Sequence, residues 1–345
     1  FMKLVFIKKL LVALFIVSVI SAGLFGYQLN QFLTQPIASS SQTQTITIKP
    51  GSSAHRVANQ LNQAGLLTLP KWFVWYLRYH DQHGAIKSGE LTTDRQWTVA
   101  ELTEALIKGE TVKYPFTLIA GHTFKQTLEA LQSAEKLQHK LSAEKLDALY
   151  QTFDLPNLND QKYPYAGLEG WFLPETFYYQ AGDTDVSILK RAQNHLKTVL
   201  ETEWQNRDKN LPLKSPYEAL ILASIVEKET GIAHERPLIA GVFVNRLNKR
   251  MRLQTDPTVI YGIGEDYDGN IRKRDLLTKT TYNTYKINGL PPTPIAMPSA
   301  EAIRAVMQPT KTKALYFVAK GGGEHQFSNT LIEHNQAVRK YLLNR

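Results

Sequence analysis

Two carboxylates close together at the end of an apolar run are the residues of this chain best placed to do chemistry. Ser215-Pro-Tyr-Glu218 has the form of a helix start, with Ser215 as N-cap, Pro216 at the first helical position and Glu218 completing a capping box. The helix continues as Ala219-Leu-Ile-Leu-Ala-Ser-Ile-Val226, which is apolar enough to require burial, and reaches Glu227-Lys-Glu229-Thr230 before Gly231, a candidate C-terminal cap. Glu229 follows Leu222, Ile225 and Val226 by seven, four and three residues, so it falls on the buried stripe. Glu227 points roughly 200° away from it. A carboxyl on an apolar stripe, at the partly negative end of a helix, is disfavoured as an anion by desolvation and by the helix dipole. Such a group can hold its proton near neutral pH and donate it to a leaving-group oxygen. The competing reading is an ion pair between Glu229 and a nearby Arg236 or Arg246.

The following segments supply further polar groups. His234-Glu-Arg-Pro leads into a second buried helix, Leu238-Ile-Ala-Gly-Val-Phe-Val-Asn-Arg-Leu247, and then Met251-Arg-Leu-Gln-Thr-Asp-Pro-Thr-Val-Ile-Tyr-Gly262 reads as a polar loop. Gln254, Thr255, Asp256, Tyr261, Asn283 and Tyr285 are short or planar side chains in Gly- and Pro-bounded segments, suited either to hydrogen-bonding a ligand in a groove or to tying loops together. Arg246 is a candidate partner for Glu229 or Asp256. The loop Gly167-Leu-Glu-Gly-Trp-Phe-Leu-Pro-Glu-Thr-Phe-Tyr-Tyr179 carries Glu169 and Glu175, for which packing or loop support is the favoured role.

Taken together, Glu-Lys-Glu-Thr, Val-Phe-Val-Asn-Arg-Leu, Leu-Gln-Thr-Asp-Pro-Thr-Val-Ile-Tyr-Gly, Tyr282-Asn-Thr-Tyr and Gly289-Leu-Pro-Pro-Thr-Pro-Ile closely resemble the YceG-like endolytic lytic transglycosylases of bacterial cell-wall metabolism. The resemblance is specific over residues 216–300 and looser over 46–132, where that family carries a LysM-like module. It implies that Glu229 is the catalytic acid. It further implies endolytic cleavage of the MurNAc–GlcNAc β-1,4 bond of nascent peptidoglycan strands without water, leaving 1,6-anhydro-MurNAc ends and terminating elongation. One carboxyl can serve both steps, whereas a glycan hydrolase would need a second such as Asp256.

Other elements must position these residues. The chain has 345 residues, 43% apolar and 21% charged, which is the composition of a globular protein with room for more than one domain. Lys3, Lys8 and Lys9 precede the apolar run Leu10–Tyr27, which carries no charge and is long enough to span a bilayer with the N-terminus in the cytoplasm. An uncleaved anchor is favoured over a signal peptide because the run exceeds the usual apolar core of one. Beyond it the chain keeps 37 basic against 31 acidic residues, a +6 balance on an exported body, so nucleic acid is not expected as a partner. With no cysteine, thiol chemistry and disulfides are excluded; no histidine spacing suits a metal, and no cofactor is expected.

Residues 29–45 read as a polar tether. Ordered structure is expected from Ile46, where a strand, a turn at Pro50-Gly51 and a helix capped by Ser52 or Ser53 follow one another. A related strand-turn-helix unit recurs at Phe116–Phe124, and an amphipathic helix is predicted over Thr98–Lys108. Trp72, Trp75, Tyr76 and Tyr79 have the spacing of a packed helix face, and residues 134–160 read as polar helix. Gly321-Gly-Gly is a turn between strands, since the Lys-Ser/Thr of a phosphate loop is missing. The expected fold is α+β: an anchor over 1–28, a tether over 29–45, a small strand-helix module over 46–112, LysM-like by the resemblance, and a helix-rich catalytic domain over 113–345. The expected location is the cytoplasmic (inner) membrane, single-pass, with the body on its outer side. Peptidoglycan strands, and by the resemblance peptidoglycan synthases, are the expected partners; a non-catalytic cell-wall scaffold is the alternative.

Overall fold

The Ser53 hydroxyl accepts the Arg56 amide, and the hydroxyls of Thr98, Thr123, Ser215 and Ser299 likewise accept the amides three residues on, so these helices begin where the sequence places a hydroxyl. In the computed structural model, which describes residues 2–37, 43–94, 96–142, 145–158 and 160–343, these starts organise two units.

The first unit covers Phe1–Tyr114 with Gln180–Gly182. It contains α1 (Met2–Thr34), β1 (Gln44–Ile48), α2 (Ala54–Gln63), α3 (Pro70–Tyr79), β2 (Gly89–Thr93) and α4 (Val99–Lys108). β1 and β2 are antiparallel, with Ile46 opposite Leu91, and the helices bury Val57, Leu61, Phe73, Leu77, Leu102 and Leu106 with Ile46 and Ile48 in one core. Among the described residues α1 is the one helix long and apolar enough to cross a membrane.

Two expectations change here. The stretch read as a free tether is helical through Thr34, and Ile37 is buried, with its amide donating to Trp97 O at 2.8 Å. Residues 38–42 of that stretch lie outside the described residues, as do the side chains of Lys3 and Lys8. The aromatic face of α3 is also turned the other way. Phe73, Val74 and Leu77 form its buried stripe, while Trp75 and Tyr79 are exposed and Trp72 and Tyr76 lie at the margin. Both sets have helical spacing, and periodicity alone cannot rank two apolar faces of one helix.

The second unit covers Pro115–Tyr179 and Asp183–Arg345. Its elements include most of β3 (Lys113–Thr117) and β4 (Thr176–Gln180), together with α5 (Phe124–Gln132), α6 (Leu146–Phe153), α7 (Asp185–Gln205), α8 (Pro216–Glu229) and α9 (Arg236–Asn248). They continue with α10 (Asp256–Ile263), α11 (Lys273–Leu277), α12 (Ala300–Met307), β5 (Tyr316–Gly321), β6 (Glu324–Ser328) and α13 (Leu331–Val338). The fold is thus mixed helix and sheet, with helices dominating. α8 runs through the middle of this unit's core, where Leu220, Leu222, Ile225 and Val226 pack with Leu196 of α7, Ile239 and Phe243 of α9, and Ile303 and Val306 of α12. The expected polar helix over 134–160 is shorter, because among the described residues only α6 forms there and Leu137 and Leu141 are buried in irregular chain. Gly322 and Gly323 close the β5–β6 hairpin with positive φ values of 64° and 80°, as the turn reading required.

Gly241 in the middle of α9 marks a close approach: a Cβ there would lie 2.5 Å from Thr310 O, on backbone pinned by the bond from Thr310 N to Pro237 O. Alanine is the better helix former by about 1 kcal/mol. Gly241→Ala is nevertheless expected to lower unfolding stability by roughly 1–3 kcal/mol, since the carbonyl has to move. Urea unfolding of the two proteins checks the sign.

Candidate active site

α8 places two carboxylates at its end, and their surroundings divide them. Glu227 accepts hydrogen bonds from the backbone amide of Ser299 at 2.9 Å and from the Ser299 hydroxyl, and lies 3.7 Å from Arg236 Nη2. Ser299 is the N-cap of α12, so Glu227 ties one core helix to the start of another. Arg236, one candidate partner for Glu229, is therefore engaged elsewhere. Glu229 takes its hydrogen bond from the Thr255 hydroxyl. Its carboxyl is enclosed by protein while the residue keeps an opening to solvent. Burial pushes its pKa up to about 7; the Thr255 hydroxyl and the Arg246 charge oppose that shift and Asp256 adds to it.

The helix ends differently from the expectation. Thr230 is extended (φ −148°, ψ 137°), and Gly231 is not left-handed. The turn is closed by side chains: the Thr230 hydroxyl accepts from Ile232 N at 3.0 Å and donates to Glu235 at 3.3 Å. Glu235 is buried, accepts the His325 amide at 2.8 Å, and has His325 Nδ1 2.8 Å from its carboxylate. Burial alone would raise its pKa, but the hydrogen bonds from His325 outweigh it and hold the carboxyl low. The β5–β6 hairpin thus fixes the chain just beyond Glu229. Glu218, similarly, accepts from Lys214 N rather than from the cap residue's own amide, which displaces the capping box by one position.

The segment read as a polar loop begins α10 at Asp256, with Pro257 in the first turn. Thr255-Asp-Pro is a helix-start signature hidden by the surrounding polar residues. Gln254 just before it is exposed and adopts φ +50°, a left-handed conformation that costs a non-glycine residue on the order of 1–2 kcal/mol. Three contacts hold it: Gln254 N donates to Thr284 O, Thr255 N donates to Thr284 Oγ1 at 3.1 Å, and Thr258 and Thr284 share a hydroxyl bond at 2.8 Å. Thr284 and Thr258 are fully buried and are not among the sequence candidates, although Thr284 sits inside the Tyr282-Asn-Thr-Tyr element.

Of the candidates, Gln254, Thr255, Asp256 and Tyr285 gather near Glu229. Asp256 is exposed and accepts the Tyr285 hydroxyl at 2.7 Å. Asn283 is buried, its amide donating to carbonyls of Asp275, Leu276 and Thr278, which makes it a loop tie. Arg246 pairs with neither acid. It donates to carbonyls of Leu315, Arg252 and Leu253 and to Gln254 Oε1, gripping the strained turn from behind. Tyr261 belongs to the far end of α10, where its hydroxyl donates to Glu169 at 3.3 Å.

Lys228, Pro257, Ile260, Tyr261, Glu169 and Tyr165 line a cleft of about 800 Å³ along α10. The wall of this cleft includes Lys228 and Pro257, the sequence neighbours of Glu229 and Asp256, but not the two acids themselves. Among the described residues no group of histidine and acidic side chains could hold a metal ion. The arrangement can deliver one proton from a partly desolvated acid to a ligand lying along α10.

Glu169 is a second protonated carboxyl, buried and accepting from Phe124 N at 2.9 Å, with burial pushing its pKa up to about 8. Unfolding lets it ionise above about 4.5, so its contribution to stability is complete below that pH and is lost as pH rises through 8. Glu169→Gln is expected to shrink the loss of unfolding free energy between pH 5 and pH 9 by a few kcal/mol, measured by urea titration at about those two values.

Comparisons with known proteins identify the family. The model of the YceG-like family matches residues 46–340. An endolytic murein transglycosylase of Bacillus subtilis is 33% identical, covering 94% of this chain and 91% of that protein. One from Streptococcus pneumoniae is 30% identical over 98% of this chain and 65% of its own length. A solved yceG-like protein from Listeria monocytogenes superposes with a TM-score of 0.53 at 28% identity, covering 86% of this chain and 99% of that one. With a family model spanning most of its length, the chain belongs to the YceG-like family.

Proposed function

We propose that this protein is an endolytic lytic transglycosylase that cleaves the MurNAc–GlcNAc β-1,4 bond of peptidoglycan strands, with Glu229 as its acid and base. The observation that carries the reading is the setting of Glu229, whose carboxyl pKa is pushed up to about 7 by burial and whose one hydrogen-bond partner among the described residues is the Thr255 hydroxyl. In the first step protonated Glu229 gives its proton to the glycosidic oxygen as the C1–O bond breaks. The resulting carboxylate then takes the proton of the C6 hydroxyl of the same MurNAc, whose oxygen bonds to C1 and closes the 1,6-anhydro ring. The acid is regenerated and no water is consumed. Gln254, Thr255, Asp256 and Tyr285 are placed to orient the sugar at the acid, and Tyr261 to contact it further along the cleft.

The other finer assignments follow from the same reading. α1 anchors the protein in the cytoplasmic membrane, with Lys3, Lys8 and Lys9 inside and the chain beyond α1 outside. The strand-helix-helix-strand order of the small unit supports a LysM-like glycan-binding module. Substrate made at the membrane surface places the enzyme beside peptidoglycan synthases.

Purified glycan strands digested in 18O-labelled water are expected to give products with 1,6-anhydro ends and no label. Reducing ends carrying one labelled oxygen would make the protein a hydrolase using Asp256 as second carboxylate. Glu229→Gln should lower turnover at least about a thousandfold without loss of folding, since general acid catalysis is worth roughly 10² to 10⁴ and the same group also serves as base. Glu227→Gln should lower stability more than turnover.

Because the protonated form starts the reaction, kcat/KM is expected to fall as pH rises through about 7. The Thr255 hydroxyl favours the carboxylate, so Thr255→Val should move that falling limb upward by roughly 0.5–1 unit. A pH–rate profile of both proteins reads the shift.

A further inference from the structure

The outward face of α3 is unusual for a soluble surface. Trp75 is 53% and Tyr79 is 74% exposed, and their rings stack on each other with centroids 5.5 Å apart. At the helical repeat, Trp72, Trp75 and Tyr79 fall within roughly 60° of arc, and Lys71 and Arg78 lie within another 60° on the other side of Trp75. Lys71 and Arg78 are also exposed. A lone exposed aromatic needs no explanation. What distinguishes this set is its continuity with α1: the ring of Trp72 lies 5.5 Å from Phe25 and 5.7 Å from Phe32. Phe25 is near the end of the apolar run Leu10–Tyr27, and Phe32 lies between one and two helical turns beyond it. Trp72 therefore fixes α3 at the level where the apolar part of α1 stops.

We propose that this face of α3 lies in the interfacial layer of the bilayer that α1 spans, with Trp75 and Tyr79 among the lipid headgroups. The inference rests on the reading of α1 as an anchor. Tryptophan and tyrosine favour that layer because an apolar ring body and a polar N–H or O–H can be satisfied at once. Lys71 and Arg78, beside them, suit the phosphates of anionic lipid. The consequence is a second attachment for the small unit. A single helix leaves a domain free to swivel and tilt about its exit point, whereas a helix lying in the interface next to that exit fixes the height and tilt of the unit over the membrane.

The absence of cysteine allows single-site labelling of the full-length protein without other changes. Tyr79→Cys, Asn59→Cys and Ile16→Cys, each carrying a nitroxide, are reconstituted in phosphatidylcholine–phosphatidylglycerol vesicles. Collision rates with oxygen and with a water-soluble nickel chelate are then compared. The oxygen-to-nickel ratio is expected to be high for the Ile16→Cys label and several-fold higher for Tyr79→Cys than for Asn59→Cys. Adding Trp75→Ser should bring the Tyr79→Cys value towards that of Asn59→Cys. Equal ratios for Tyr79→Cys and Asn59→Cys, with Ile16→Cys shielded, would overturn the proposal and leave the anchor standing. Three equally aqueous labels would overturn the anchor as well. Shielding at position 79 that appears only when glycan strands are added would make the face a sugar platform and the proposal wrong.

Discussion

An acid that is to keep its proton at neutral pH has to be withdrawn from water without being given a cation, and the structure of the larger unit follows from meeting that condition at Glu229. The residues Ala219–Val226 that precede the end of α8 are all buried. Burying them fixes the helix axially and rotationally, and so fixes where its final carboxyl emerges. The nearby cations are diverted: Arg236 lies against Glu227, and Arg246 is directed to backbone carbonyls. Glu229 is left with a neutral hydroxyl donor, which tempers the effect of burial without abolishing it.

The surrounding polar groups support that arrangement by holding backbone in conformations it would not otherwise keep. The left-handed Gln254 places Thr255 under the acid, and the cost of its φ is met by Thr284, Thr258 and Arg246. Beyond the acid, the Glu235–His325 contact replaces a glycine cap, so the helix terminus is set by a hairpin about ninety residues later in the chain. Glu169 plays the equivalent part at the far end of α10, joining the amide end of α5 to Tyr261. Each of these groups is tied from a distant segment, and each tie converges on the ends of α8 and α10.

That convergence explains which features could be read in the sequence. Caps at Ser53, Thr98, Thr123 and Ser215, the buried run of α8, the separation of Glu229 from Glu227 and the Gly322-Gly323 turn depend on neighbours within a few residues, and their spacing carries the information. The start of α10 is written locally, in Thr255-Asp-Pro, but is masked by polar residues that resemble a loop. Thr284, the Glu235–His325 pair and the role of Arg246 depend on tertiary partners roughly 30 to 90 residues away, which no local pattern contains. The reversed face of α3 and the helical continuation of α1 to Thr34 escape the sequence for a related reason. Both involve apolar groups that satisfy the same periodicity whether they face a core, a neighbouring helix or a bilayer.

The proposed chemistry stands on the protonation state of a single side chain, and infrared difference spectroscopy measures it directly. The carbonyl stretch of a protonated carboxyl, followed from about pH 4 to 10 in the parent protein and in Glu229→Gln, isolates the Glu229 band in the subtraction and leaves Glu169 in both spectra. The band assigned to Glu229 is expected to disappear with a midpoint of about pH 7. A midpoint near the ordinary value of about 4.5 would mean that Glu229 is a carboxylate under the conditions in which strands are cut, and the acid would have to be sought elsewhere.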